Sequence, residues 1–182
     1  VAINDKTPGG MDFGTYQVHL VREMVERGYI VLATEYRGST GYGKEMYEAI
    51  DYGGLENDDV VASRDWAVEQ LPVDPKRIGL VGWSHGGMIS LMVGFDHPDK
   101  FACIFAGVPV SDLITRLGYH EQYYTDLFAA DYHIGKPPSQ AVDEYRKRSP
   151  VWNAEKLRLP LMITSTTNDR DVNVVEVVQL II

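Results

Sequence analysis

Residues 78–87 read Ile78-Gly79-Leu80-Val81-Gly82-Trp83-Ser84-His85-Gly86-Gly87, and the reading of this stretch decides the fold. The apolar run is a strand, the glycines after it open a helix, and Ser84 sits on the turn between them in a G-x-S-x-G pattern. A serine on such a strand-to-helix turn lifts its hydroxyl above the end of a sheet, where a base can reach it. Gly82 and Gly86 leave room where side chains would clash in the tight turn. The N–H of His85, at the start of the helix, points towards a developing oxyanion. Ser84 is therefore the candidate nucleophile, and the His85 backbone is a candidate oxyanion donor. The His85 side chain is expected to point away from Ser84.

Outward from this turn, strands and helices alternate. Phe101 to Gly107 and Leu159 to Thr164 read as strands, the second with Pro160 near its start, where a strand tolerates proline. Upstream, Tyr29-Ile30-Val31-Leu32-Ala33 is a continuous apolar run, read as a buried strand. A helical pattern over 16–25 leads into it, with Gly28 as its C-terminal cap. Val1-Ala2-Ile3 reads as the end of one further strand. Residues 57–71 have a helical apolar face, with Asn57 or Asp58 as N-cap, and 86–95 form the helix after Ser84. This alternation specifies an α/β protein with a doubly wound, mostly parallel sheet. Residues 111–149 are too long for a simple crossover. They read as a helical excursion over the carboxyl ends of the strands, within one domain spanning 1–182. The aromatic residues there, Tyr119, Tyr123, Tyr124, Phe128 and Tyr132, either line a ligand site or pack the excursion onto the body.

Composition narrows the function. The 182 residues carry a net charge of −9, without the clustered Lys and Arg that nucleic acid or an anionic membrane would demand. The densest basic stretch, Arg146-Lys147-Arg148, reads as a solvated helix end. No apolar run has the length of a membrane span. Val1-Ala2-Ile3-Asn4-Asp5-Lys6 does not read as a signal peptide, which points to the cytoplasm. The one cysteine, Cys103, is read as a buried strand thiol. There is no His-x-x-x-His pair or cysteine cluster to hold a metal, and no cofactor is implied. The loop Gly38 to Gly43 lacks the Gly-Lys-Ser/Thr ending of a phosphate loop, which argues against nucleotide binding. Glu45, Glu48, Asp51, Glu56, Asp58 and Asp59 form an acidic cluster, read either as a site for a peptide amine or as a solvated helix face.

An acid is available in the right order. The loop Ser165-Thr166-Thr167-Asn168-Asp169-Arg170-Asp171-Val172 follows the last strand, on the same sheet edge as Ser84. Asp169 is the candidate acid that orients a histidine, with Asp171 as its local competitor. The histidine is the difficulty. His19, His85, His97, His120 and His133 all precede Asp169, whereas this order of residues calls for a histidine after the acid. The expectation is an incomplete hydrolase domain whose base lies beyond residue 182.

These motifs together resemble the catalytic domain of the prolyl oligopeptidase family of serine peptidases, nearest its acylaminoacyl-peptidase and dipeptidyl-peptidase-like members, within the α/β-hydrolase superfamily. The likeness includes Pro8-Gly9-Gly10, Tyr36-Arg37-Gly38-Ser39-Thr40-Gly41-Tyr42-Gly43, Asp58-Asp59 and Val73-Asp74-Pro75-Lys76-Arg77-Ile78-Gly79. It continues through Gly82-Trp83-Ser84-His85-Gly86-Gly87, Pro98-Asp99-Lys100-Phe101 and Asn168-Asp169-Arg170-Asp171-Val172. The resemblance implies an α/β-hydrolase sheet lacking its first and last strands, Ser84 as nucleophile, Asp169 as acid, and peptide or ester substrates. It also implies an N-terminal β-propeller in many relatives. Two departures stand out. The family histidine has no counterpart, and Asp5-Lys6-Thr7 stands where an oxyanion-side His-Gly-Gly is usual. The chain alone is therefore expected to have little activity. A carboxylesterase and a non-catalytic binding module of the same fold are the competing readings.

Overall fold

The computed structural model describes residues 2–3 and 16–181. Among these, five strands form one sheet: β1 (Ala2–Ile3), β2 (Ala33–Thr34), β3 (Gly79–Trp83), β4 (Cys103–Gly107) and β5 (Leu161–Thr164). The spatial order is β2-β1-β3-β4-β5 and every pairing is parallel. The chain steps one way from β1 to β2, then crosses back and continues the other way through β3, β4 and β5. The strand order thus reverses between β1 and β3, the kind of place where open α/β sheets bind ligands at their carboxyl ends.

The helices are α1 (Tyr16–Glu26), α2 (Lys44–Tyr47), α3 (Leu55–Gln70), α4 (His85–Asp96), α5 (Leu113–Tyr119), α6 (Gln122–Phe128), α7 (Pro138–Arg148) and α8 (Val174–Ile181), with a 3₁₀ helix at Pro150–Lys156. α4 is buried from His85 through Phe95. Its sequence is correspondingly apolar on all sides, as expected of a central helix. Ile89, Val93 and Phe95 share one core with Leu80 of β3 and with Ile104 and Ala106 of β4. Fully burying one such aliphatic side chain contributes about 1.5–3 kcal/mol.

The excursion has its own core. Leu113, Phe128 and Tyr145 from its three helices pack against Met88 in the first turn of α4, Val108 and Val110 after β4, and Val172 after β5. Phe128 and Tyr145 are fully buried. Of the two readings of these aromatics, packing onto the body therefore accounts for Phe128 and for the partly buried Tyr124, whereas Tyr123 stays exposed.

Several local expectations need correction. The strand over 29–33 is confined to Ala33–Thr34, the two residues that face β1. Tyr29 and Ile30 are about half exposed, since apolar character alone does not extend a strand past its partner. The helix read over 57–71 begins at Leu55 with Gly54 as N-cap. The cap function passes to Asp51, whose carboxylate accepts the Leu55 N–H at 2.6 Å. Cys103 is exposed, not buried. The two-residue period of β4 turns Ile104 and Ala106 into the core, and Cys103 faces only Gly79 across the strand pair. Arg148 is no solvated helix end either: it bridges Asp51 at 3.1 Å and Glu144 at 2.8 Å.

Candidate active site

Register sets the level of the site. Trp83, Gly107 and Thr164 stand in line across β3, β4 and β5, so all three strands end together. The Ser84 turn and the 165–172 loop therefore leave the same sheet edge, with β4 between them. Two further bonds stitch this edge: Ser84 N–H to the Gly107 carbonyl at 2.9 Å, and Val108 N–H to the Thr164 carbonyl at 2.7 Å.

Ser84 has φ 55° and ψ −119°, a conformation that side chains rarely adopt. Such a residue costs about 1–3 kcal/mol and persists only where its surroundings over-determine it. Here the Ser84 carbonyl accepts the N–H groups of Met88 at 3.1 Å and Val110 at 3.3 Å. The turn also requires glycine at position 82, because a Cβ there would stand 1.9 Å from the Gly86 carbonyl oxygen. His85 is the first residue of α4, and the N–H groups of a first helical turn have no partner within the helix.

The His85 side chain turns into the protein, as expected. Its Nε2 lies 3.0 Å from Glu56 Oε1, and because a carboxylate only accepts, Nε2 donates. The ring stacks on Tyr52 with centroids 4.2 Å apart and planes 4° from parallel, while Tyr36 meets it edge-on. Glu56 is fully buried and also accepts the N–H groups of Gly53 and Gly54. Burial works to raise its carboxyl, but the hydrogen bond and charge of His85 and the Gly53 N–H outweigh it and hold the group at about 2.

Asp169 and Asp171 are separated by what surrounds them. Asp169 is half-buried. Its Oδ1 accepts the N–H groups of Asp171 and Val172, each at 2.9 Å, and its Oδ2 has no hydrogen-bond partner among the described residues. Asp171 is held at its carbonyl and at Oδ1, although its side chain is half exposed. Arg116 donates to its carbonyl at 2.7 Å and its Oδ1 at 3.0 Å, Tyr124 donates to Oδ1 at 2.9 Å, and His120 Nε2 donates to the carbonyl at 2.8 Å. Behind it lies Glu176, fully buried, whose carboxylate accepts from Arg116, from the Tyr119 hydroxyl and from the N–H groups of Ser111 and Asp112. Burial pushes the Glu176 carboxyl above its ordinary value despite these donors. Burial also works against the charge on Arg116, but Tyr52, Glu176 and Asp171 around it outweigh burial and raise its pKa.

The remaining histidines have other work. His120 stacks on Tyr124 at 4.0 Å besides its bond to Asp171. His133 donates to the Leu127 carbonyl at 2.7 Å, and burial holds its ring below the ordinary value. His97 closes α4, and His19 is exposed. The acidic cluster after Arg37 divides: Glu45, Glu48 and Asp58 are exposed, as a solvated face would be, while the other three are engaged within the protein. Asp59 takes a two-pronged bond from Arg37 at 2.7 and 2.8 Å, Glu56 is buried under His85, and Asp51 is tied to Arg148. Asp5-Lys6-Thr7 and Pro8-Gly9-Gly10 lie outside the described residues. An apolar cavity of about 500 Å³, lined by Phe95, Leu157, Leu161, Ile163 and Leu180, includes none of the residues discussed here as catalytic candidates.

Sequence reasoning missed Glu56 as the partner of His85, and it missed Arg116 and Glu176 as the anchor of the acid loop. The signal for Glu56 was a carboxylate in the first turn of a helix whose register buries it; for Arg116 and Glu176 no local pattern existed.

A parallel sheet with a reversal in strand order, and a serine at positive φ between strand and helix above it, define the α/β-hydrolase class. The chain belongs to the prolyl oligopeptidase family, whose profile matches residues 16–181. It is 32% identical to dipeptidyl aminopeptidase BIII of Pseudoxanthomonas mexicana over 162 residues, which cover 87% of this chain and 24% of that protein. It is 28% identical to the acylamino-acid-releasing enzyme of Arabidopsis thaliana, over 78% of this chain and 19% of the relative. The crystal structure of Porphyromonas gingivalis dipeptidyl peptidase 4 superposes with a TM-score of 0.76 at 25% identity, covering 99% of this chain and 25% of that one. The chain thus spans about a quarter of the length of the first of these relatives.

Proposed function

We propose that the protein to which this chain belongs is a serine peptidase working through an acyl-enzyme on Ser84. The Ser84 Oγ attacks the substrate carbonyl carbon while a histidine takes its proton. The resulting oxyanion is met by the His85 N–H, and collapse of the intermediate returns the proton to the departing amine. Water then repeats the sequence and releases the acid. Asp169 orients the histidine and stabilises its charged form. The observation that carries this reading is the Ser84 turn itself: a non-glycine residue at φ 55°, fixed by bonds to its own N–H and carbonyl and opening onto a helix N-terminus whose first N–H groups have no partner within the helix.

Three histidines of this chain are already engaged and do not suit the role of base, and His97 closes the far end of α4. His85 is committed to Glu56, His120 to Asp171 and His133 to Leu127. The base is therefore proposed to come from sequence outside this chain, so that the 182 residues alone are inactive. The relatives, a dipeptidyl aminopeptidase and an acylamino-acid-releasing enzyme, support peptides as substrates.

A fluorophosphonate probe tests the reading. The full-length protein should be labelled on Ser84, and Ser84→Ala should abolish labelling. Full-length protein that stays unlabelled would instead favour a non-catalytic module, the reading supported by the prior engagement of His85, His120 and His133.

A further inference from the structure

We infer that Glu56 is a positioning residue for the oxyanion donor: through the imidazole of His85 it fixes the direction of the Ser84–His85 peptide N–H. The inference rests on the assignment of Ser84 and the His85 N–H given above. It concerns a side chain 29 residues away from His85 in sequence and on a different helix.

The argument is mechanical. The peptide that would meet the oxyanion is flanked by ψ of Ser84 and φ of His85. Ser84 already stands at φ 55° and ψ −119°, so its own preference does not hold this peptide plane. The Cα of His85 must be held by something else. Its side chain has few torsions, and the ring is gripped on three sides: Tyr52 stacked against one face at 4.2 Å, Tyr36 edge-on at 5.9 Å, and Glu56 on Nε2 at 3.0 Å. Stacking leaves a ring free to slide and turn in its plane. The bond to Glu56 removes that freedom, and so fixes Cβ, Cα and the N–H behind them.

A simpler reading makes Glu56 only a clasp for the 51–54 turn, where it accepts the Gly53 and Gly54 N–H groups. That turn already has two other fasteners. Asp51 accepts the Leu55 N–H at 2.6 Å, and Arg148 donates to the carbonyl of Tyr52 at 3.2 Å. A carboxylate is costly to bury unless partners compensate, and a side-chain donor that Glu56 does have is the residue next to the nucleophile. The 51–54 turn in turn presents Tyr52, at φ 55°, to the same ring. Clasp and positioning are parts of one assembly aimed at His85.

The test uses the full-length protein, with Ser84 counted by fluorophosphonate titration and turnover measured on an aminoacyl p-nitroanilide that the wild type cleaves. Loss of a whole oxyanion donor costs about 10²–10³ in kcat. For a donor present but loosely aimed, Glu56→Met, which removes the acceptor, should lower kcat per titrated serine by about tenfold or more, with KM within about twofold. His85→Phe, which keeps the stacking and removes the bond, should fall by a similar factor, and the double variant should be no worse than either single one. This second variant keeps the test decisive if Glu56→Met does not fold. Unchanged kcat per titrated serine in either folded variant, a loss confined to KM, or additive losses in the double variant would overturn the inference while leaving Ser84 as the nucleophile. A wild type that is not labelled on Ser84 would overturn both.

Discussion

Arg116 holds Asp171 at two points, donating from Nη1 to the main-chain carbonyl at 2.7 Å and from Nη2 to Oδ1 at 3.0 Å. One guanidinium thereby fixes both the backbone and the side chain of the loop that carries Asp169, two residues earlier. The same guanidinium faces the fully buried Glu176 at 3.4 Å.

Removing Arg116 strips the partner from a buried carboxylate. Breaking one side of such a pair typically costs about 3–5 kcal/mol. Arg116→Met should lower the stability of the folded chain by that order, read from the urea midpoint at unchanged slope. Arg116→Lys should recover only part of it, since an ammonium cannot reproduce the fork.

Asp169→Asn should leave stability nearly intact, because an amide oxygen still accepts the Asp171 and Val172 N–H groups now held at 2.9 Å. In the full-length protein its kcat should nonetheless drop by about 10⁴, the effect of losing the acid that selects the histidine tautomer. Thermal unfolding and turnover measured on one preparation check both halves.

Gly82→Ala places a methyl carbon 1.9 Å from the Gly86 carbonyl oxygen and 2.5 Å from Ser90 Oγ. Neither backbone can retreat without breaking the turn. The expected loss is more than about 3 kcal/mol, seen as insoluble expression or a collapsed denaturation midpoint.

Acid should remove the stability that Glu56 contributes. Its folded-state carboxyl is held at about 2, below the ordinary 4.5. A depressed carboxyl contributes stability that is complete above its unfolded value and is lost as pH falls towards the folded one. The window runs from about pH 5 down to about 2. Urea midpoints at pH 6, 4 and 3 should fall for the wild type, and the gap between wild type and Glu56→Gln should narrow over the same range.

The parts of this molecule that the sequence disclosed are those where backbone sterics dictate residue type. Gly82 and Ser84 are readable because the crossing of strand and helix admits no other arrangement, α4 because burial on all sides demands an unbroken apolar run, and β3 and β4 as short apolar runs beside it. The 165–172 loop was readable as the segment that follows β5. What stayed hidden depends on partners distant in sequence. Glu56 looks like a solvent-facing acid until α3 is docked beneath His85. Arg148 looks like a helix end until the 51–54 turn is laid across it. Tyr29 and Ile30 look like strand until β1 is seen to reach only Ala33 and Thr34. Cys103 looks buried until its face of the sheet is known.

The unequal fates of Asp169 and Asp171 bear on how a mutational survey of this protein would be interpreted. Scored by turnover alone, both positions would rank as intolerant and would be taken for a pair of active-site acids. Scored by cellular abundance, only Asp171 would register, together with Arg116, Tyr124 and Glu176. The contrast between the two maps would separate chemistry from scaffolding without any further structure.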